Sequence, residues 1–178
     1  MRSTFTNRTL KNTLRTYLIS ACLVCLMVMS AQAQPQKLSG PRLGLTTFSP
    51  GAVSEELNTH AITQFGWQLE TRFVSGENVM GLIEWVLLAG GFEKGYFLPS
   101  VSSIVGARFS SGFELGAGPN LSVAGFGLVA AVGYNFKVGD LNLPINLSWV
   151  PSQESWLING ATTGHRVSLT FGFNMSER

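Results

Sequence analysis

Charge is scarce in this chain: Asp, Glu, Lys and Arg make up 12% of its 178 residues, where soluble proteins carry about 25%. A water-facing surface is normally built from those side chains, so the composition points to a large area that meets something other than water. Cysteine is scarcer still. Cys22 and Cys25 are the two present, and a chain cut behind Ala33 would keep neither, which excludes a disulfide framework and a thiolate metal site. With two histidines, His60 and His165, no metal-ligand cluster can be assembled at any usual spacing. After Gln34 no segment sustains an apolar period of 3.6, so amphipathic helices are missing as well.

The N-terminus has the order of an export signal. Arg2, Arg8, Lys11 and Arg15 stand without an acid among them, the apolar run Tyr17 to Met29 follows, and Ser30-Ala31-Gln32-Ala33 offers an Ala-x-Ala cleavage site. The apolar run is shorter than the roughly 20 residues of a spanning helix, so cleavage after Ala33 is expected, with residues 1–33 a signal peptide and 34–178 one mature domain. Ile19-Ser20-Ala21-Cys22 offers a weaker alternative as a lipidation site. Removing the signal takes four of the twelve basic residues and leaves eight against ten acids, a net charge of −2. That balance gives no basic surface for nucleic acid.

What fills the mature chain is alternation. In Gln64 to Val74, Phe65, Trp67, Leu69, Thr71 and Phe73 oppose Gln64, Gly66, Gln68, Glu70 and Arg72. The same period of two runs through Gly125 to Lys137, with Val129 the exception, and through Leu141 to Val150 and His165 to Asn174. Weaker strands are expected at Pro41 to Phe48, Val101 to Phe109 and Phe113 to Pro119. Val79 to Ala89 has the least regular register, because Met80, Leu82, Val86 and Leu88 share a face with Glu84. Eight strands result, and their connections alternate between long (49–63, 90–100, 120–124, 151–164) and short (75–78, 110–112, 138–140). The short ones carry turn chemistry in Ser75-Gly76-Glu77-Asn78, Ser110-Ser111-Gly112 and Gly139-Asp140. Long loops at one end and tight turns at the other are the pattern of an up-and-down transmembrane barrel. The expected fold is therefore all-β: a closed antiparallel eight-stranded transmembrane β-barrel.

Alternation alone allows two opposite barrels. A lipocalin-like soluble barrel turns its apolar face inward; a membrane barrel turns it outward. The less apolar face of these strands carries Arg42, Glu70, Arg72, Glu84, Arg108, Glu114, Lys137 and Arg166, but the rest of that face is small and uncharged, with Gly44, Gly66, Gly106, Gly116, Gly118, Gly125, Gly127, Gly133 and Gly172. Such a surface makes a poor solvated exterior and a good crowded lumen. The eight charged residues are thus expected to form an interior network. Two aromatic belts fit the same threading: Phe65, Trp67, Phe126 and Trp149 near the rim of the long loops, and Phe73, Phe109, Phe113, Tyr134, Phe136, Phe171 and Phe173 near the other.

The exported N-terminus, Gly40-Pro41-Arg42-Leu43-Gly44-Leu45 and the final Arg166-Val167-Ser168-Leu169-Thr170-Phe171-Gly172-Phe173-Asn174 resemble the small outer-membrane β-barrel proteins of Gram-negative bacteria, particularly those of bacteroidete type. The resemblance implies residence in outer-membrane lipid and insertion by the barrel-assembly machinery through the last strand. Met175-Ser176-Glu177-Arg178 runs on past the last aromatic, a departure from the family pattern.

The interior charges could line a narrow conducting path or close the barrel; eight strands leave an interior just filled by side chains, which favours closure. A catalytic set is poorly supported. His165, Ser168 and Glu154 are the nearest candidates, yet His165 and Ser168 differ in parity and would point to opposite sides of a strand. Gly116-Ala117-Gly118-Pro119-Asn120 superficially resembles a phosphate loop but lacks the following Lys-Ser/Thr and a helix. No cofactor is expected. The loops 49–63 and 151–164 expose Glu55, Glu56, His60, Glu154 and Trp156, where an extracellular partner could dock. The leading expectation is a non-catalytic structural or interaction protein. The alternatives are a small-ligand or narrow-channel barrel, with the apolar residues of the third strand marking a ligand site, and a soluble periplasmic lipid carrier.

Overall fold

A computed structural model describes residues 37–139, 141–155 and 161–176; the expected signal peptide, Asp140 and Trp156 lie outside them. The strands are β1 (Lys37–Phe48), β2 (Ala61–Ser75), β3 (Val79–Gly90), β4 (Leu98–Phe109), β5 (Phe113–Ser122), β6 (Gly125–Val138), β7 (Leu141–Val150), β8 (Arg166–Gly172) and the two-residue β9 (Met175–Ser176). Each pairs antiparallel with its neighbour from β1 to β8, and β8 returns to β1. β9 also pairs with β1, at Leu38 and Ser39. It prolongs β8 after an interruption at Phe173-Asn174, so the sheet closes as eight staves.

Register sets the shape. Leu38 lies opposite Glu70, Glu70 opposite Glu84, and Glu84 opposite Ile104. On the far side Gly118 faces Val129, Val150 faces Arg166, and Arg166 faces Phe48. The circuit that leaves β1 at Leu38 thus returns to β1 at Phe48, an offset along the strand that forces the staves to tilt by about 35–45°. Every residue on that circuit faces inward.

The expected alternation is followed on all eight staves except at the turn end of β2. Even-numbered residues of β1 to β5, β7 and β8, and odd-numbered residues of β6, are turned inward, but the β2–β3 register shifts between Arg72 and Val74 and leaves Val74 exposed, so the single register expected over Gln64 to Val74 stops at this irregularity. The outward set carries the large apolar side chains, among them Leu43, Phe65, Trp85, Leu128, Ile145 and Phe171, all exposed. Val129 departs from the rule of small inward residues on β6 because it packs with Ile104 and Val150 in an interior apolar cluster, joined by Val86 and Ala131. The irregular third strand is explained in the same way. Leu82 and Val86 point inward beside Glu84, and Leu82 fills the space left by Gly106, whose absent Cβ would sit 3.4 Å from it.

Interior glycines let backbones approach where tilted staves bend. A Cβ on Gly66 would lie 1.8 Å from the carbonyl oxygen of Leu87 and 2.8 Å from the Cα of Leu88 on β3, so no side chain fits without parting β2 from β3. Gly66→Val is expected to lower stability by about 1–3 kcal/mol, read as a shifted midpoint in urea unfolding from lipid vesicles. At the turns Gly112 and Gly139 take positive φ (95° and 62°), the geometry that lets tight hairpins follow strand twist.

Several boundaries differ from the sequence expectation: β2 begins at Ala61 rather than Gln64, and β8 ends at Gly172 rather than Asn174. β1 begins at Lys37 and β4 at Leu98, because β2 and β3 offer partners to those residues. β5 runs on to Ser122, which reduces the expected loop 120–124 to the tight connection Val123-Ala124. The loop after β1 folds back into the one-turn helix α1 (Ala52–Glu56). Val53 and Leu57 pack there against Phe48, Ile62 and Leu98, so this loop caps the barrel mouth. Beyond β7 the chain pairs with itself, through the Glu154–Thr162 bridge and the bond from Thr163 N to Gln153 O (2.8 Å).

Candidate functional site: the barrel interior

Alternation places the charged side chains inside; the barrel offset decides which of them meet. Arg108 on β4 is at the centre. Its Nη1 and Nη2 donate to the two carboxylate oxygens of Glu70 on β2 at 2.7 and 2.6 Å, and its Nε donates to Glu114 on β5. This two-pronged geometry matches the planar fork of a guanidinium to a carboxylate. Arg72 adds a third donor to Glu70 through Nε at 3.1 Å.

Arg42 is buried without a direct carboxylate partner among the described contacts, and neutral groups connect it to the rest. Its Nε donates to Gln68 Oε1 at 2.9 Å, and Gln68 Nε2 donates to Glu84 Oε1 at 2.7 Å. Its Nη2 donates to Asn174 Oδ1 at 2.6 Å, and Nη1 to the carbonyl oxygens of Pro41 and Phe173 at 2.8 and 3.3 Å. Asn174 Nδ2 reaches Glu70 at 3.5 Å. Three arginines and three glutamates therefore form one connected, formally neutral network drawn from β1 to β5 and the break between β8 and β9. Such neutrality limits the heavy cost of burying charge.

Of the eight expected charged residues, six meet in this network: Arg42, Glu70, Arg72, Glu84, Arg108 and Glu114. Lys137 is exposed at the turn-side end of β6, at the edge of an open cavity of about 420 Å³ that Arg72 and Arg108 also line. Arg166 lies toward the loop end and bonds Ser122 Oγ (2.9 Å) and Asn120 Oδ1 (2.8 Å). Gln68 and Asn174, which join the network without charge of their own, were not singled out from sequence. Their inward parity, shared with Glu70 and Arg166, was the signal available.

The aromatic residues of both expected belts, Phe109 excepted, are exposed on the outside. Near the loop end Phe65 stacks on Phe92 (5.2 Å) and Phe92 meets Phe97 edge-on (5.7 Å), while Trp149 stacks on His165 (5.9 Å). At the opposite end Phe109 lies 6.0 Å from Phe113, and Tyr134 4.6 Å from Phe136. The loop after β3 is tied to β2 by Glu93, whose carboxylate accepts from Thr63 N (2.6 Å) and Thr63 Oγ1 (2.9 Å). The backbone bond from Thr63 holds this carboxyl below its ordinary pKa.

The catalytic candidates do not share a site. His165 Nδ1 accepts from Ser152 N at 3.2 Å outside the lumen wall, whereas Ser168 Oγ is 2.6 Å from Thr46 Oγ1 inside it. Gly116 and Gly118 are lumen-facing positions within β5, where side chains on them would strike Ile104 Cγ2 and the carbonyl oxygen of Ser103; no loop is formed there. The inward apolar residues of β3 border a void of about 50 Å³, which is small beside the 300–1,000 Å³ of ordinary ligand pockets.

No protein-family model matches the chain, and no curated protein matches it. Among solved structures it is similar to Ail, the attachment invasion locus protein of Yersinia pestis, at 10% identity and a TM-score of 0.49, over 80% of this chain and 97% of that one. It is also similar to the de novo designed TMB2.3 at 13% identity and a TM-score of 0.44, over 83% and 98%. With large apolar side chains outside, charges and glycines inside and no open sheet edge, the chain is a small eight-stranded β-barrel of the transmembrane kind.

Proposed function

We propose that this protein is a closed, non-catalytic barrel of the bacterial outer membrane that holds its long connections at the outer surface as an interaction platform. The observation that carries this reading is the neutral network centred on Arg108, which ties together strands from opposite parts of the wall and occupies the lumen. A conducting path favours unpaired charges facing water; here the guanidinium of Arg108 is held by two carboxylates. The outward apolar band supports lipid as the surrounding medium, with the two sets of aromatic residues at its interfaces. The loops 49–63 and 151–164 are the surface offered to an extracellular partner, with Glu55 and Glu56 exposed beside the cap formed by α1. Insertion through the barrel-assembly machinery completes the reading.

Two measurements test it. The protein should fractionate with outer membranes and migrate faster on gels when unheated than when boiled. Recovery in the aqueous fraction without detergent would exclude the membrane reading. Reconstituted in planar bilayers, the wild type should give no stable single-channel conductance. Steady open-channel steps that change with Glu70→Gln would replace the platform with a transport barrel.

A further inference from the structure

Arg166 is the interior arginine that the neutral network leaves out. It lines a cavity of about 70 Å³ at the loop end of the lumen, and none of the described residues lining that cavity is acidic. Both of its terminal nitrogens donate to neutral oxygens, on Asn120 and Ser122, and its Nε–H is buried with no acceptor among the described residues. Asn120 is held in place from its other end, donating to Ser102 Oγ at 2.9 Å. Gln153 Nε2, over Gly127 opposite Asn120 in the β5–β6 register, is a further buried donor without an acceptor among the described residues, and it lies outside the cavity lining. Arg166 is partly buried; a cation shielded from water without a counter-charge is costly, and so is a buried donor without an acceptor. A carboxylate, which only accepts hydrogen bonds, remedies both.

One side of the cavity wall is apolar, with Phe48, Val53, Ile62, Leu98 and Val150 contributing, while Thr46, Gln64, Ser100, Ser148 and Ser168 add neutral amide and hydroxyl groups elsewhere. A water needs about 10–15 Å³ on the same measure, so there is room for roughly five or six heavy atoms. We infer that this cavity binds a short-chain monocarboxylate, its carboxylate on the Arg166 guanidinium and its hydrocarbon tail against the apolar wall beneath α1. Inorganic phosphate fits less well, because it would bring up to two negative charges to one cation and leave the apolar wall unmatched.

The test is titration calorimetry of the full barrel, refolded in detergent, with sodium butyrate, sodium formate and sodium phosphate at constant ionic strength. Butyrate is expected to bind saturably and at least tenfold tighter than formate or phosphate. Arg166→Met should abolish binding, Arg166→Lys should weaken it about tenfold while keeping the charge, and Ile62→Phe, which fills the apolar half, should weaken butyrate but not formate. Unchanged heat-modifiable mobility would show that each variant is folded, and a misfolded Arg166→Met would leave the lysine and Ile62→Phe variants to decide. Absence of saturable butyrate binding, equal binding by folded Arg166→Met, or tighter binding of phosphate would each overturn the assignment. None of these outcomes bears on whether the barrel resides in a membrane.

Discussion

Glu70→Ala is expected to destabilise the barrel by about 3–5 kcal/mol, the cost of removing one member of a buried ion pair while its partner stays buried. Glu70 is 1% exposed and accepts both terminal nitrogens of Arg108, the Nε of Arg72 and an amide bond from Asn174. Its loss leaves Arg108 with Glu114 and takes one carboxylate from Arg72. Equilibrium urea unfolding in lipid vesicles, followed by tryptophan fluorescence and gel mobility, reads the change. The double variant Glu70→Ala/Arg108→Met should lose less than the two single losses combined, since it removes the stranded charge along with its partner. An unfolding midpoint equal to that of wild type for Glu70→Ala would mean that the network contributes nothing to closure.

The second large effect concerns the outer surface. Leu147 stands midway along β7, paired with Val132 and Leu169, and is about half exposed. An arginine at the bilayer midplane costs about 2–4 kcal/mol, falling to about 0–1 near the interfaces. Leu147→Arg should therefore destabilise the barrel by that larger amount in vesicles, while Val138→Arg, at the turn end of β6 and 64% exposed, should be nearly neutral. The contrast between the two positions measures depth rather than generic disruption. In a water-soluble barrel both substitutions would replace an exposed apolar group with a charge at little cost, so equal and small effects would remove lipid from the outside of this molecule. The two predictions are independent, because one concerns the lumen and the other the outer wall.

The residues differ in how much they disclosed before folding. Period-two alternation in Gln64 to Val74 assigns Phe65, Trp67 and Leu69 to one side of the wall and Gln68 and Glu70 to the other without reference to any neighbour, since a strand turns successive side chains to opposite faces. The Gly-rich inward face argued for a crowded lumen on composition alone. Strand ends were less legible. Leu98 to Ser100 and Leu121-Ser122 extend their strands because neighbouring strands supply hydrogen-bond partners, a cause that lies outside the segment itself. Val129 read as an exception in isolation and became core once Ile104 and Val150 stood beside it.

The amino-acid sequence alone determined the strands, the side of the wall each residue faces and the end at which the long connections gather, because these depend on local period and turn chemistry. Which charges pair was decided only in the closed barrel. The stagger around the sheet brings Glu70 to Arg108 across 38 positions and leads Arg42 to Asn174 across 132, while it leaves Arg166 among hydroxyl and amide groups. Contacts across a closed wall depend on the offset at which the first and last strands meet, and no local stretch of chain encodes that offset.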